Sequence, residues 1–73
     1  MDKKEFYKKL VEELDLEDRD INENSSLHLT SLMHLSLMSF LDEHFGVRVK
    51  AIDLKDIDSV GKLITLIGID KFK

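Results

Sequence analysis

The stretch from Leu29 to Gly46, LTSLMHLSLMSFLDEHFG, constrains this chain more than any other part of it. It has no proline, no glycine before its last residue and no acid before Asp42. Wound as a helix, it points Leu32, Leu35, Leu37, Met38, Phe40, Leu41 and Phe45 in many directions around the axis. Only Ser36, Ser39 and Glu43 line up as a polar stripe. A helix apolar over most of its circumference needs other elements around it. The pattern therefore predicts a central helix from about Ser31 to Phe45, with Thr30 or Ser31 as its cap. Gly46 stops it by supplying a left-handed residue.

The rest of the chain supplies those surroundings. Phe6, Leu10, Val11 and Leu14 share one face of a first helix, which Asp2 can cap. Residues 15–29 are polar and lack that period, so they read as a long loop, tacked down by Ile21 and Leu27. After Gly46, the alternation in GVRVKAI is the only strand-like signal, and a short helical piece is expected around Leu54 to Ile57. Asp58 or Ser59 caps a last helix from Val60 to about Ile67, where Val60, Leu63, Ile64 and Ile67 repeat at helical spacing and Gly68 follows. The tail IDKFK is expected to fray, with Ile69 or Phe72 docking. The fold class is thus all-α: a small bundle of three main helices and one short one, forming a single domain over residues 1–73, with a long loop between the first and second helices.

Size and charge narrow the function. A chain of 73 residues buries only about 60% of the surface its unfolded form exposes, so a deep catalytic cleft is not expected. There is no cysteine, which removes disulfides, thiolate metal sites and cysteine nucleophiles. No apolar run reaches the roughly 20 residues of a membrane span, and the charged start MDKKEFYKKL does not read as a secretory signal. A cytoplasmic protein is the default expectation, and nothing demands more than a monomer. The net charge of −4 argues against a nucleic-acid partner. Lys3, Lys4, Lys8 and Lys9 make the outer side of the first helix basic, and an acidic run from Glu12 to Glu23 follows, interrupted by Arg19. That run reads either as a solvated helix end and loop or as a patch for a basic partner.

Catalytic signatures are thin. His28, His34 and His44 match no metal-ligand spacing, and no phosphate-binding glycine loop is present. Ser31 and His34 stand one turn apart, but a serine nucleophile also needs an orienting acid and an oxyanion hole in a shielded site. An enzyme is therefore not expected. Ser31 has another use. A hydroxyl at a helix start faces exposed backbone N–H groups and the positive end of the helix dipole, which favour an attached phosphodiester. The competing reading is that Ser31 is simply part of a cap.

The ordered set of segments TSLMHLSLMSFLDEHFGVRV, LKDIDSVGKLITLI and, upstream, INENSSL resembles the acyl carrier proteins and their peptidyl carrier relatives over nearly the whole chain. In that family an Asp-Ser-Leu triplet opens the second helix; here Thr30, Ser31 and Leu32 take those places. The resemblance implies that Ser31 carries 4'-phosphopantetheine, attached by a phosphopantetheinyl transferase. It also implies acyl groups held as thioesters and passed among acyl-transferring or acyl-ligating enzymes of fatty-acid, polyketide or related specialised biosynthesis. Partner enzymes would then dock on Thr30, Leu32, Met33 and Ser36, and on the later acids Asp42 and Glu43. The chain departs from the family at Thr30, where an aspartate is usual, in a shorter loop without the common glycine, and in first helical turns that carry Met33, His34 and Ser36 in place of acids. These departures imply a divergent or specialised carrier. The alternative they leave open is a helical interaction module that kept the fold and lost the arm.

Overall fold

The computed structural model describes residues 1–72. It contains four α-helices: α1 (Lys3–Leu14), α2 (Ser31–Phe45), α3 (Ala51–Leu54) and α4 (Val60–Ile67), followed by a 3-10 turn over Ile69–Lys71. No strand forms among the described residues; a single bridge pairs Ser26 with Ser59. No helix is long and apolar enough to cross a membrane among the described residues.

The boundaries follow from local chemistry. The Asp2 carboxylate accepts the Glu5 N–H at 2.8 Å and starts α1. That helix ends at Asp15, the one non-glycine residue with positive φ (51°) among those described. Asp tolerates this conformation better than most side chains. The Leu16 N–H closes the end on the Val11 carbonyl at 3.0 Å. Gly46 (φ 66°) ends α2 in the same way, its N–H on the Asp42 carbonyl and that of Val47 on Leu41. Ser59, rather than Asp58, caps α4 by accepting the Lys62 N–H at 3.2 Å.

The core joins all the helices and the loop. Phe6, Leu10, Leu37, Leu41, Leu54, Val60 and Leu63 are fully buried. Ile21 and Leu27 are buried as well, so the loop of residues 15–30 is pinned at the two points its apolar residues indicate. It is also laced to the head of α4. The Val60 N–H donates to the Ser25 carbonyl (3.0 Å), the Gly61 N–H to the Glu23 carbonyl (2.8 Å), and the Leu27 N–H to the Asp58 carbonyl (2.9 Å). A Cβ on Gly61 would lie 2.9 Å from the Glu23 carbonyl oxygen, so the close approach of loop and helix depends on glycine there.

Three expectations need correction. The short helix covers Ala51–Leu54, three residues earlier than the stretch from Leu54. The Asp53 carboxylate reaches back to the Lys50 N–H at 2.9 Å and nucleates the turn, with Leu54 as its buried last residue. The tail forms a 3-10 turn over Ile69–Lys71 instead of fraying; of the two residues expected to dock, Phe72 does so, its ring 5.1 Å from that of Phe6 and 5.2 Å from that of Phe45, while Ile69 stays exposed. The fraying expected of Lys73 lies outside the described residues. Finally, α2 is not surrounded along its whole length. Leu37, Phe40 and Leu41 are buried, but Leu32 and Leu35 are 77% and 64% exposed. The neighbouring elements cover one face of α2, and the other, which carries Leu32, Leu35, Ser39, Asp42 and Glu43, stands in solvent.

Candidate functional site

The head of α2 is organised by two residues that flank Ser31. Thr30 has extended backbone (φ −88°, ψ 171°) and its hydroxyl accepts the Met33 N–H at 3.3 Å. In return the Thr30 N–H points at the Met33 sulfur, 3.5 Å away. This is the reciprocal arrangement of a capping box with a thioether in the place of the usual Glu or Gln. Thr30 is therefore the cap, and Ser31 is the first residue inside the helix, exposed, with its hydroxyl not required for capping.

Two electrostatic consequences follow. The Met33 N–H is taken by Thr30, and the His34 N–H by the Thr30 carbonyl at 2.9 Å. The Ser31 and Leu32 N–H groups precede any intrahelical partner and have no acceptor among the described residues. In addition, the first turn of α2 contains no acid. A glutamate in the capping box would have placed a negative charge beside those free N–H groups. The thioether leaves the positive end of the helix dipole uncompensated, a field that favours an anion on Ser31 by about 0.3–1 kcal/mol.

The residues expected to meet partners fall into two groups. Thr30, Leu32, Met33 and Ser36 lie together in the first two turns. Thr30 and Leu32 are exposed, whereas Met33 and Ser36 are half-buried. Met33 turns inward and packs against the core. Leu35, one turn after Leu32, is exposed too and extends the apolar surface beside Ser31. Asp42 and Glu43 are exposed, but about three turns along the helix, roughly 17–18 Å from Ser31 at 1.5 Å per residue. Arg48 approaches Asp42 at 3.9 Å, an exposed pair of little energetic weight.

The histidines do not assemble into a site. His44 packs against Phe40 with ring centroids 4.6 Å apart and planes tilted by 46°, and His28 is exposed on the loop. His34 is half-buried one turn below Ser31. Among the described residues no group of three His, Cys, Asp or Glu side chains is placed to hold a metal ion.

A cleft opens beside the head of α2 that periodicity does not reveal. It has a volume of about 650 Å³ and lies between the end of α1, the long loop and Met33. Leu14, Leu16, Ile21, Leu27 and Met33 supply its apolar surface. The only sequence signal for it is the pair Ile21 and Leu27, which bring the loop back over the end of α1.

No protein-family model matches the chain, and no curated protein or solved structure matches it.

Proposed function

We propose that the chain is an acyl carrier protein. Ser31 accepts 4'-phosphopantetheine from coenzyme A with the help of a phosphopantetheinyl transferase. The serine oxygen bonds to the pantetheine-bearing phosphorus, the pyrophosphate linkage breaks, adenosine 3',5'-bisphosphate leaves, and the hydroxyl proton passes to the transferase. The thiol of the arm then holds acyl intermediates as thioesters for acyl-transferring or acyl-ligating enzymes of fatty-acid, polyketide or related specialised biosynthesis. The carrier does no chemistry of its own. It works as a monomer in the cytoplasm, and tethering raises the effective concentration of the cargo to the millimolar range.

The observation that carries this reading is the division of labour at the head of α2. Thr30 does the capping, and Ser31 is exposed beside two free N–H groups with no nearby carboxylate on its turn. Leu32 and Leu35 give a partner enzyme an apolar foothold beside the attachment point. The test is intact mass after incubation with coenzyme A and a broad-specificity transferase. One pantetheine is expected on the native chain and none on Ser31→Ala. No addition to the native chain, or equal addition to both, would sink the proposal.

The exposed Leu32 and Leu35 also favour a second reading, an unmodified interaction module that binds a partner through this face. Under that reading Ser31→Ala leaves partner binding and biological activity intact, while Leu32→Asp abolishes them. Loss of activity in Ser31→Ala with the fold preserved would reject it.

A further inference from the structure

The cleft beside Met33 has a feature that a plain alkyl chain does not use. Its apolar surface comes from Leu14, Leu16, Ile21, Leu27 and Met33, but Asp15, Glu17 and Asp18 stand on its rim, all exposed. Among the described residues none of these three carboxylates is in an ion pair. No lysine or arginine lines the cleft, and His28 is the one basic side chain in its lining. Arg19, the one cation within the acidic run, instead lines a separate hollow with Lys4 and Lys8 of α1. Apolar walls with three unpaired carboxylates at the mouth complement one kind of occupant: a short apolar chain that bears an ammonium group. Its methylenes cover the leucine, isoleucine and methionine surface, and its cation meets the rim, where Coulomb attraction from three charges adds.

The cleft also lies within easy reach of Ser31. Met33, which forms part of its wall, is two residues on and in the same first turn of α2. Resting on the carrier reading above, we propose that this cleft receives the tethered cargo and selects chains bearing an ammonium group, an aminoacyl or amino-terminated acyl group, over plain alkyl acyl groups of equal length.

Two measurements test this, both read from the methyl NMR signals of Leu14, Ile21, Leu27 and Met33. In the first, the unloaded protein is titrated with hexylammonium and, separately, with 1-hexanol. Hexylammonium is expected to shift these methyls at a concentration about three- to tenfold lower, given partial screening of the rim charges by salt. The Asp15→Asn, Glu17→Gln, Asp18→Asn variant is expected to abolish the difference. These replacements keep the shape, and Asn tolerates the left-handed backbone at Asp15. It also keeps an oxygen for the Asp20 N–H that the Asp18 carboxylate now accepts at 3.0 Å. Equal titrations, or a preference that survives the triple variant, overturn the inference. In the second, Ser31 is loaded from coenzyme A analogues with a 6-aminohexanoyl or a hexanoyl arm. Larger shifts of the cleft methyls with the amino-terminated arm support it. Full loading with no difference between the arms overturns this inference alone. If no mass is added at Ser31, the carrier reading falls and takes the cargo assignment with it, whatever the free amine does.

Discussion

The heads of α2 and α4 solve the same problem in opposite ways. Each helix begins with backbone N–H groups that no intrahelical carbonyl can reach. At α4 every one of the first three finds a partner: Val60 on Ser25, Gly61 on Glu23, and Lys62 on the Ser59 hydroxyl. The long loop is pressed so closely onto that end that only glycine fits at residue 61. At α2 the cap is local, made by Thr30 and Met33 alone, and the first two N–H groups are left to solvent. A head closed by another segment holds the fold together. A head left open, with an exposed hydroxyl upon it, is available for attachment. The contrast separates a structural helix start from a candidate functional one without reference to residue type, since Ser and Thr cap both.

The largest expected effect comes from releasing the closed head. Leu27 is buried and its N–H holds the Asp58 carbonyl, so Leu27→Ala is expected to cost about 2–5 kcal/mol in urea unfolding. A cost under about 1 kcal/mol would show that the loop is not pinned there. Next is Gly61→Ala. Helix propensity alone predicts a gain of roughly 1 kcal/mol. The contact with the Glu23 carbonyl predicts instead a loss of about 1–3 kcal/mol, because the loop must lift and strand a helix donor. A raised melting temperature for this variant would contradict the lacing described above.

Smaller effects distinguish the residues of the open head. Thr30→Ala is expected to destabilise by about 1 kcal/mol and Ser31→Ala by less than about 0.5 kcal/mol, because only the first removes a cap. The reverse order would return Ser31 to a capping role. Met33→Glu is expected to destabilise by about 1 kcal/mol, because the carboxylate restores an ordinary capping box but gives up the packing of a half-buried thioether. It is also expected to slow pantetheine transfer severalfold at low salt, by placing a negative charge near the incoming phosphate. Transfer at the native rate would mean that the uncompensated helix end plays no part.

Much of the fold was legible because its signals are local. Asp2, Gly46, Ser59 and Gly68 mark helix ends through side-chain chemistry or the lack of a side chain, and each stands at the end it indicates. Ile21 and Leu27 are apolar residues in a polar stretch and are buried for that reason. What was not legible depends on contacts between distant segments. The apolar pattern of α2 says that it needs cover but not which side the neighbours reach, so the exposure of Leu32 and Leu35 could not be read from it. The lacing of the loop to α4 uses backbone groups, which every residue carries, and leaves Gly61 as its only mark. At the candidate site, the position of Ser31 was readable. Its relation to the cap was open between Thr30 and Ser31 until the Thr30 hydroxyl was placed on the Met33 N–H.

The Phe72 ring, seated against Phe6 and Phe45, has a consequence for the order of folding. Residues 6 and 72 are separated by almost the whole described chain, and bringing such distant partners together carries a high loop-closure entropy. That meeting becomes favourable only after the intervening helices have collapsed and shortened the span. The C-terminal aromatic therefore arrives late and fastens a bundle already assembled, so its removal should speed unfolding far more than it slows folding.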